Sequence, residues 1–167
     1  TGAGKCSDSD TYYNIALGNC AGCCLNSGDR NIIMGDCAGR CVTSGKDNHI
    51  FGTGAAAQQN VTGNYNNMFG KCAGSCITSG CYNQFFGYCA GFGMGSGGMS
   101  GNHNIAMGCK TGYCLSSGAS NIIFGETAGV NLTTGDNNVI LGRSAAQLGT
   151  LTGDSNVLLG YYAGRYL

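Results

Sequence analysis

The feature that most constrains this chain is a five-residue unit, Asn-x-φ-φ-Gly (φ apolar or Ala), which recurs nine times. Its asparagines are Asn14, Asn31, Asn48, Asn66, Asn83, Asn104, Asn121, Asn138 and Asn156, at spacings of 17, 17, 18, 17, 21, 17, 17 and 18 residues. The fuller consensus is [Ser/Thr]-Gly-x-x-Asn-x-φ-φ-Gly-x-x-Ala-Gly-x-x-φ, seen cleanly over residues 31–39 and 121–129. Such a period is too short for helical hairpins or propeller blades. It fits one turn of a β-solenoid, with two short strands and two tight corners per rung. Recurrent Gly marks corners that need positive φ or close backbone approach. The Asn column reads either as a ladder of stacked side-chain amides or as simple turn preference.

Composition supports an all-β chain. Gly makes up 32 of 167 residues, Pro and Trp are absent, and 10% of residues are charged. Collagen needs Pro and a strict three-residue Gly period. Disorder needs fewer apolar residues than the 43% present. A helical bundle conflicts with Gly, which costs roughly 1 kcal/mol relative to Ala in a helix. The formal net charge is zero, so no basic surface for nucleic acid is expected. No apolar run approaches the ~18 residues of a membrane-spanning helix. The chain starts at Thr1 without a signal peptide, as a mature product or a fragment would.

The expected fold is a single-domain β-solenoid, or β-roll, of about nine 17–18-residue rungs over residues 14–167. Residues 1–13 read as a partial rung or cap, and Gly-rich residues 91–101 as an inserted loop, protruding and mobile or a distorted rung. Two repeats carry Ala-Ala in place of Ala-Gly, at Ala55-Ala56 and Ala145-Ala146, and these are the 18-residue ones. A bulged turn is the expected reason. Within the strand, adjacent residues point to opposite faces, yet both φ positions are apolar. One column fills a core, joined by Leu25, Val42, Ile77, Leu115 and Leu132 from an opposite strand. The other forms an exposed apolar stripe, the mark of an interface.

The unit Asn-x-φ-φ-Gly-x-x-Ala resembles the head repeats of trimeric autotransporter adhesins and is similar to the Gly/Asn-rich repeats of phage tail fibres. The resemblance covers residues 14–167. It implies a β-roll or fibre with apolar contacts between chains, and an adhesive or fibrous extracellular role.

Twelve cysteines suit an oxidising, extracytoplasmic compartment. Counted from the Gly closing each strand motif, position +2 holds Cys20, Cys37, Cys72 and Cys89, and position +6 holds Cys24, Cys41, Cys76 and Cys114. Three repeats have both, which makes Cys20–Cys24, Cys37–Cys41 and Cys72–Cys76 the simplest pairing, across the Ala-Gly corner. Pairing up the stack, such as Cys24–Cys41, also satisfies the reach of a disulfide, because rungs lie roughly 4.8 Å apart. Cys6, near the end, is the favoured intersubunit bridge. A metal would need four converging thiolates, which Cys20, Cys24, Cys37 and Cys41 could supply, but the spacing is not that of a zinc finger.

No catalytic constellation is present. His49 and His103 lack partner patterns, and the acidic residues Asp29, Asp36, Asp136 and Asp154 sit at turn positions. Neither an enzyme nor a cofactor is expected. Calcium lacks its oxygen ligands. Ice binding is a weak reading, because the hydroxyl column Ser27, Ser44, Thr62, Ser79, Ser100, Ser117, Thr134 and Thr152 is only one residue wide.

Open solenoid ends need capping or pairing. Read tail to head, Leu167 followed by Thr1-Gly2 resembles Leu132-Thr-Thr-Gly135, so Tyr166, Leu167, Thr1 and Gly2 are the expected assembly ends. The reading is a structural protein that polymerises head to tail into an extracellular fibre, each subunit about 43 Å long. The alternative is a trimeric adhesin or tail-fibre segment, with a surface glycan or receptor as partner.

Overall fold

The computed structural model describes residues 2–4, 11–94 and 97–166. Nine three-residue strands follow one another: β1 (Ile15–Leu17), β2 (Ile32–Met34), β3 (His49–Phe51), β4 (Asn67–Phe69), β5 (Gln84–Phe86), β6 (Ile105–Met107), β7 (Ile122–Phe124), β8 (Val139–Leu141) and β9 (Val157–Leu159). They form one parallel sheet in sequence order. Each pairs in register with the next, so Ile33 lies beside Ile50 and Phe85 beside Ala106. The fold is an all-β solenoid, and no helix occurs among the described residues.

The strand's middle residue points inward. Ile33, Ile50, Met68, Phe85, Ala106, Ile123 and Ile140 are fully buried. Facing them is a second inward column, Leu25, Val42, Val61, Ile77, Met99, Leu115, Leu132 and Leu151, and a third of corner alanines from Ala21 to Ala145. Burying one such large aliphatic side chain contributes about 1.5–3 kcal/mol.

The expected second strand per rung is not formed. Its place is taken by turns, with two isolated bridges among the described residues, Val42 with Val61 and Ile77 with Met99. The reason lies in the hydrogen bonds after the strand. In rung two, Ala38 N–H donates to the Gly35 carbonyl and Val42 N–H to the Gly39 carbonyl. Each bond closes a three-residue step, so two turns run back to back and leave no extended segment.

The turns need left-handed backbone. Cys37, Gly39 and Asp47 all have φ near +55°, and the strand-closing Gly35 has φ +134°. At Gly35 only glycine fits, because a Cβ would stand 2.8 Å from the Gly52 carbonyl carbon. The corner glycine is less restricted. Ala56 and Ala146 keep its conformation, with φ of 48° and 50°, and its ladder bond, Ala56 N–H to the Ala73 carbonyl. The 18-residue rungs therefore do not bulge at the Ala-Ala corner. Their extra length lies between the corner and the inward residue, at Gln58–Asn60 before Val61. In the 21-residue rung the chain leaves at the exposed Met94 and returns to the core at Met99.

Candidate assembly surfaces and cysteine columns

The asparagines make a continuous ladder. Asn83 Nδ2 donates to Asn66 Oδ1 and to the Gly101 carbonyl, while its Oδ1 accepts from both N–H and Nδ2 of Asn104. The same bonds recur from Asn14 to Asn156 at 2.8–3.2 Å. A buried amide costs free energy unless its groups are paired, and inner members satisfy all of theirs. Repetition of Asn is thus forced by burial as well as by turn geometry.

The residue before each Asn has the same left-handed backbone but faces water. Tyr65, Tyr82 and His103 stack ring on ring, with centroids 4.9 and 5.1 Å apart. Arg30 and Asp47 form a two-pronged ion pair at 2.7 and 2.9 Å. Lys46 Nζ donates to Asp29 at 2.6 Å. The Lys46 hydrogen bond, then the Tyr12 backbone N–H, holds the Asp29 carboxyl below its usual range. Arg30 does the same to Asp47.

The outward face of the sheet holds two columns, not one, the first apolar throughout and the second apolar except for a polar stretch at His49, Asn67 and Gln84. Beside Leu17, Met34, Phe51, Phe69, Phe86, Met107, Phe124, Leu141 and Leu159 runs the column Ile15, Ile32, His49, Asn67, Gln84, Ile105, Ile122, Val139 and Val157. The period-two rule could have found this second column, since the first and third residues of a strand share a face. Phe51, Phe69 and Phe86 stack at 4.6 and 5.1 Å. Asn67 Nδ2 donates to Gln84 Oε1 beside them. Leu17 is 54% and Leu159 60% exposed, while most inner rungs are half-covered by their neighbours. His49 is the face's only titratable residue and joins no catalytic partner.

Eight of the described cysteines form two columns at positions +2 and +6, and Cys23, Cys81 and Cys109 lie outside those columns. Cys20, Cys24, Cys37, Cys41, Cys72 and Cys76 are thiols in this structure, so the expected corner bonds Cys20–Cys24, Cys37–Cys41 and Cys72–Cys76 are not formed in it. The back-to-back turns explain this. Position +2 tops the first turn and position +6 the second, with an inward Ala between them. Cys20 Sγ instead lies 3.9 Å from Asn19 Oδ1, Cys41 Sγ donates to the Ala57 carbonyl, and Cys76 Sγ reaches Gln58 Oε1 one rung away. Cys114 contacts Asn131 Oδ1 on its neighbouring rung. Burial raises the thiol pKa of Cys76, Cys89 and Cys114. No three metal-binding side chains converge among the described residues.

Cys6, Thr1 and Leu167 lie outside the described residues. Of the other expected assembly ends, Gly2 is half-buried and Tyr166 is 78% exposed. Gly4 N–H donates to the Ala21 carbonyl, as Gly22 N–H does to Ala38. Ala3-Gly4 is therefore the corner of a rung preceding β1. Gly2 thus lies two residues before a corner glycine, whereas Gly135 lies three residues before the ladder Asn138.

The hydroxyl column stays single, because its neighbours Thr78 and Ser116 donate to backbone carbonyls at 3.0 Å. Among the described residues, no helix is long and apolar enough to cross a membrane. No protein family, curated protein or solved structure matches the chain.

Proposed function

We propose that this protein is a structural element that assembles with copies of itself into an extracellular filament. The observation that carries the reading is the outward sheet face: one apolar column runs the length of nine rungs, beside a second that is apolar except at His49, Asn67 and Gln84, and neither column carries a formally charged residue. A contiguous patch of that kind favours burial against another surface. Rungs that repeat about every 4.8 Å let a second copy lie alongside with every step in phase. End-on growth extends the same parallel ladder by which each strand pairs in register with the next.

A trimeric adhesive segment is the second reading. The exposed tyrosines Tyr12, Tyr13, Tyr161 and Tyr166 favour it, as flat aromatic groups with a polar tip near the two ends of the solenoid. An extracellular setting agrees with the cysteine load.

Electron microscopy of the purified protein without reductant tests both. Filaments with an axial repeat on the order of 45 Å are expected. Discrete trimers would favour the adhesive segment, and isolated monomeric rods would overturn self-assembly.

A further inference from the structure

Parallel register places every +2 residue directly above its counterpart, and the ladder records it: Cys37 N–H donates to the Asn19 carbonyl and Cys89 N–H to the Lys71 carbonyl. Neighbouring Cα atoms on such a ladder are about 4.8 Å apart, inside the 4.4–6.8 Å window of a disulfide. Side chains in this column meet along the axis. Thr127 Oγ1 and Ser144 Oγ are 3.0 Å apart on adjacent rungs, and Cys72 lies close enough to add to the burial that raises the Cys89 thiol pKa. The +6 column behaves likewise, with Cys76 on Gln58 and Cys114 on Asn131. Across a corner, by contrast, the two cysteines crown separate turns.

We propose that oxidation joins cysteines up the stack, as Cys20–Cys37, Cys24–Cys41 and Cys72–Cys89, and leaves Cys76 and Cys114 as thiols. A low-molecular-weight disulfide such as oxidised glutathione is the oxidant. One protein thiolate attacks it, forming a mixed disulfide and releasing one small thiol. The partner thiolate displaces the second. Two protein thiols lose two protons and two electrons, and the small disulfide becomes two thiols. Rotation about χ1 brings the sulfurs together, exchanging weak thiol contacts such as that of Cys41 with Ala57 for a covalent bond. Each bond ties rung to rung, so it resists peeling of the stack in a way that a bond within one rung cannot. The inference stands apart from filament assembly, because a single chain forms the same bonds.

Trypsin separates the alternatives. The folded protein is incubated with oxidised glutathione, its free thiols are alkylated, and it is denatured and digested without reductant. Cleavage after Lys5, Arg30, Arg40 and Lys46 gives peptides 6–30, 31–40 and 41–46. Stack pairing joins 6–30 to both of the others, with fragmentation locating the bonds at Cys20 and Cys24. Corner pairing joins 31–40 to 41–46 and leaves 6–30 apart, which would overturn the proposal, as would three unjoined peptides or links through Cys6 or Cys23. Chymotryptic peptides 70–82 and 89–92 should likewise be joined, with Cys76 alkylated. Cys37→Ser should release 31–40 while 6–30 stays joined to 41–46. The same column accepts Ser144, so this variant keeps the fold. The oxidised protein should melt several degrees higher, and reduction should return it to the starting value.

Discussion

Two neighbouring columns with opposite surroundings show what fixes residue identity in this solenoid. The Asn column is buried and chemically uniform, while the column immediately before it runs Tyr13, Arg30, Asp47, Tyr65, Tyr82, His103, Ser120, Asn137 and Ser155 with φ between 56° and 59° throughout. Both columns sit at the same corner. Inside, each side chain must satisfy two donors and an acceptor from its own kind, and only Asn does so at that length. Outside, water satisfies whatever is left, so only local pairs matter: a ring on a ring or a charge on a charge. A left-handed backbone alone therefore does not select a residue type here, even though it costs most L-residues roughly 1–2 kcal/mol. The ladder around the corner holds the conformation regardless of the side chain.

Substitutions along the two columns should break this contrast in a fixed order. The largest loss is expected at Asn83→Ala, which leaves the Asn104 N–H and the Gly101 carbonyl without their buried partner. A cost of about 4 kcal/mol follows from several unpaired buried groups, read as a collapse of the thermal midpoint. Asn14→Ala, at the partly exposed start of the ladder, should cost about 1–2 kcal/mol, since water replaces what the inner rungs lack. Equal losses at the two sites would mean that burial is not what makes the Asn column uniform. Next comes Tyr82→Ser, a residue this column already holds at Ser120 and Ser155. It removes two ring stacks and should cost about 1 kcal/mol.

Smallest is the acid response of the exposed ion pairs. Asp29 and Asp47 have folded pKa values lowered chiefly by Lys46 and Arg30. Their contribution is present above the unfolded carboxylate value, near 3.9, and is lost as pH falls through the lower folded value. The melting temperature should drift down over that acid range, and D29N should flatten the drift. A drift near neutral pH would point to another group.

Much of this was legible because it repeats. The Asn spacing set the rung, and the apolar pair before each Gly announced a strand dressed on both sides. Three things were hidden. The second strand was expected from periodicity, but the hydrogen bonds of Ala38 and Val42 turn the chain too sharply for it. Joint occurrence of Cys20 with Cys24 suggested a bond, yet the two residues crown different turns, which only the backbone path reveals. The register of the first residues was hidden because Gly2 and Gly4 look alike in sequence. The bond from Gly4 to Ala21 distinguishes them.

The ladder has one more property. Every inner Asn donates its backbone N–H and one Nδ2 hydrogen to the Oδ1 of the preceding Asn, gives its other Nδ2 hydrogen to a glycine carbonyl of the following turn, and turns its own Oδ1 toward the following Asn. Nine amide dipoles thus point the same way and add along the axis, as peptide dipoles do in a helix. The solenoid is electrically polar, with a donor-rich face at Asn14 and an acceptor-rich face at Asn156. Bringing two like faces together opposes like partial charges, so any end-to-end contact favours one orientation, and a chain of such contacts carries a single direction from end to end.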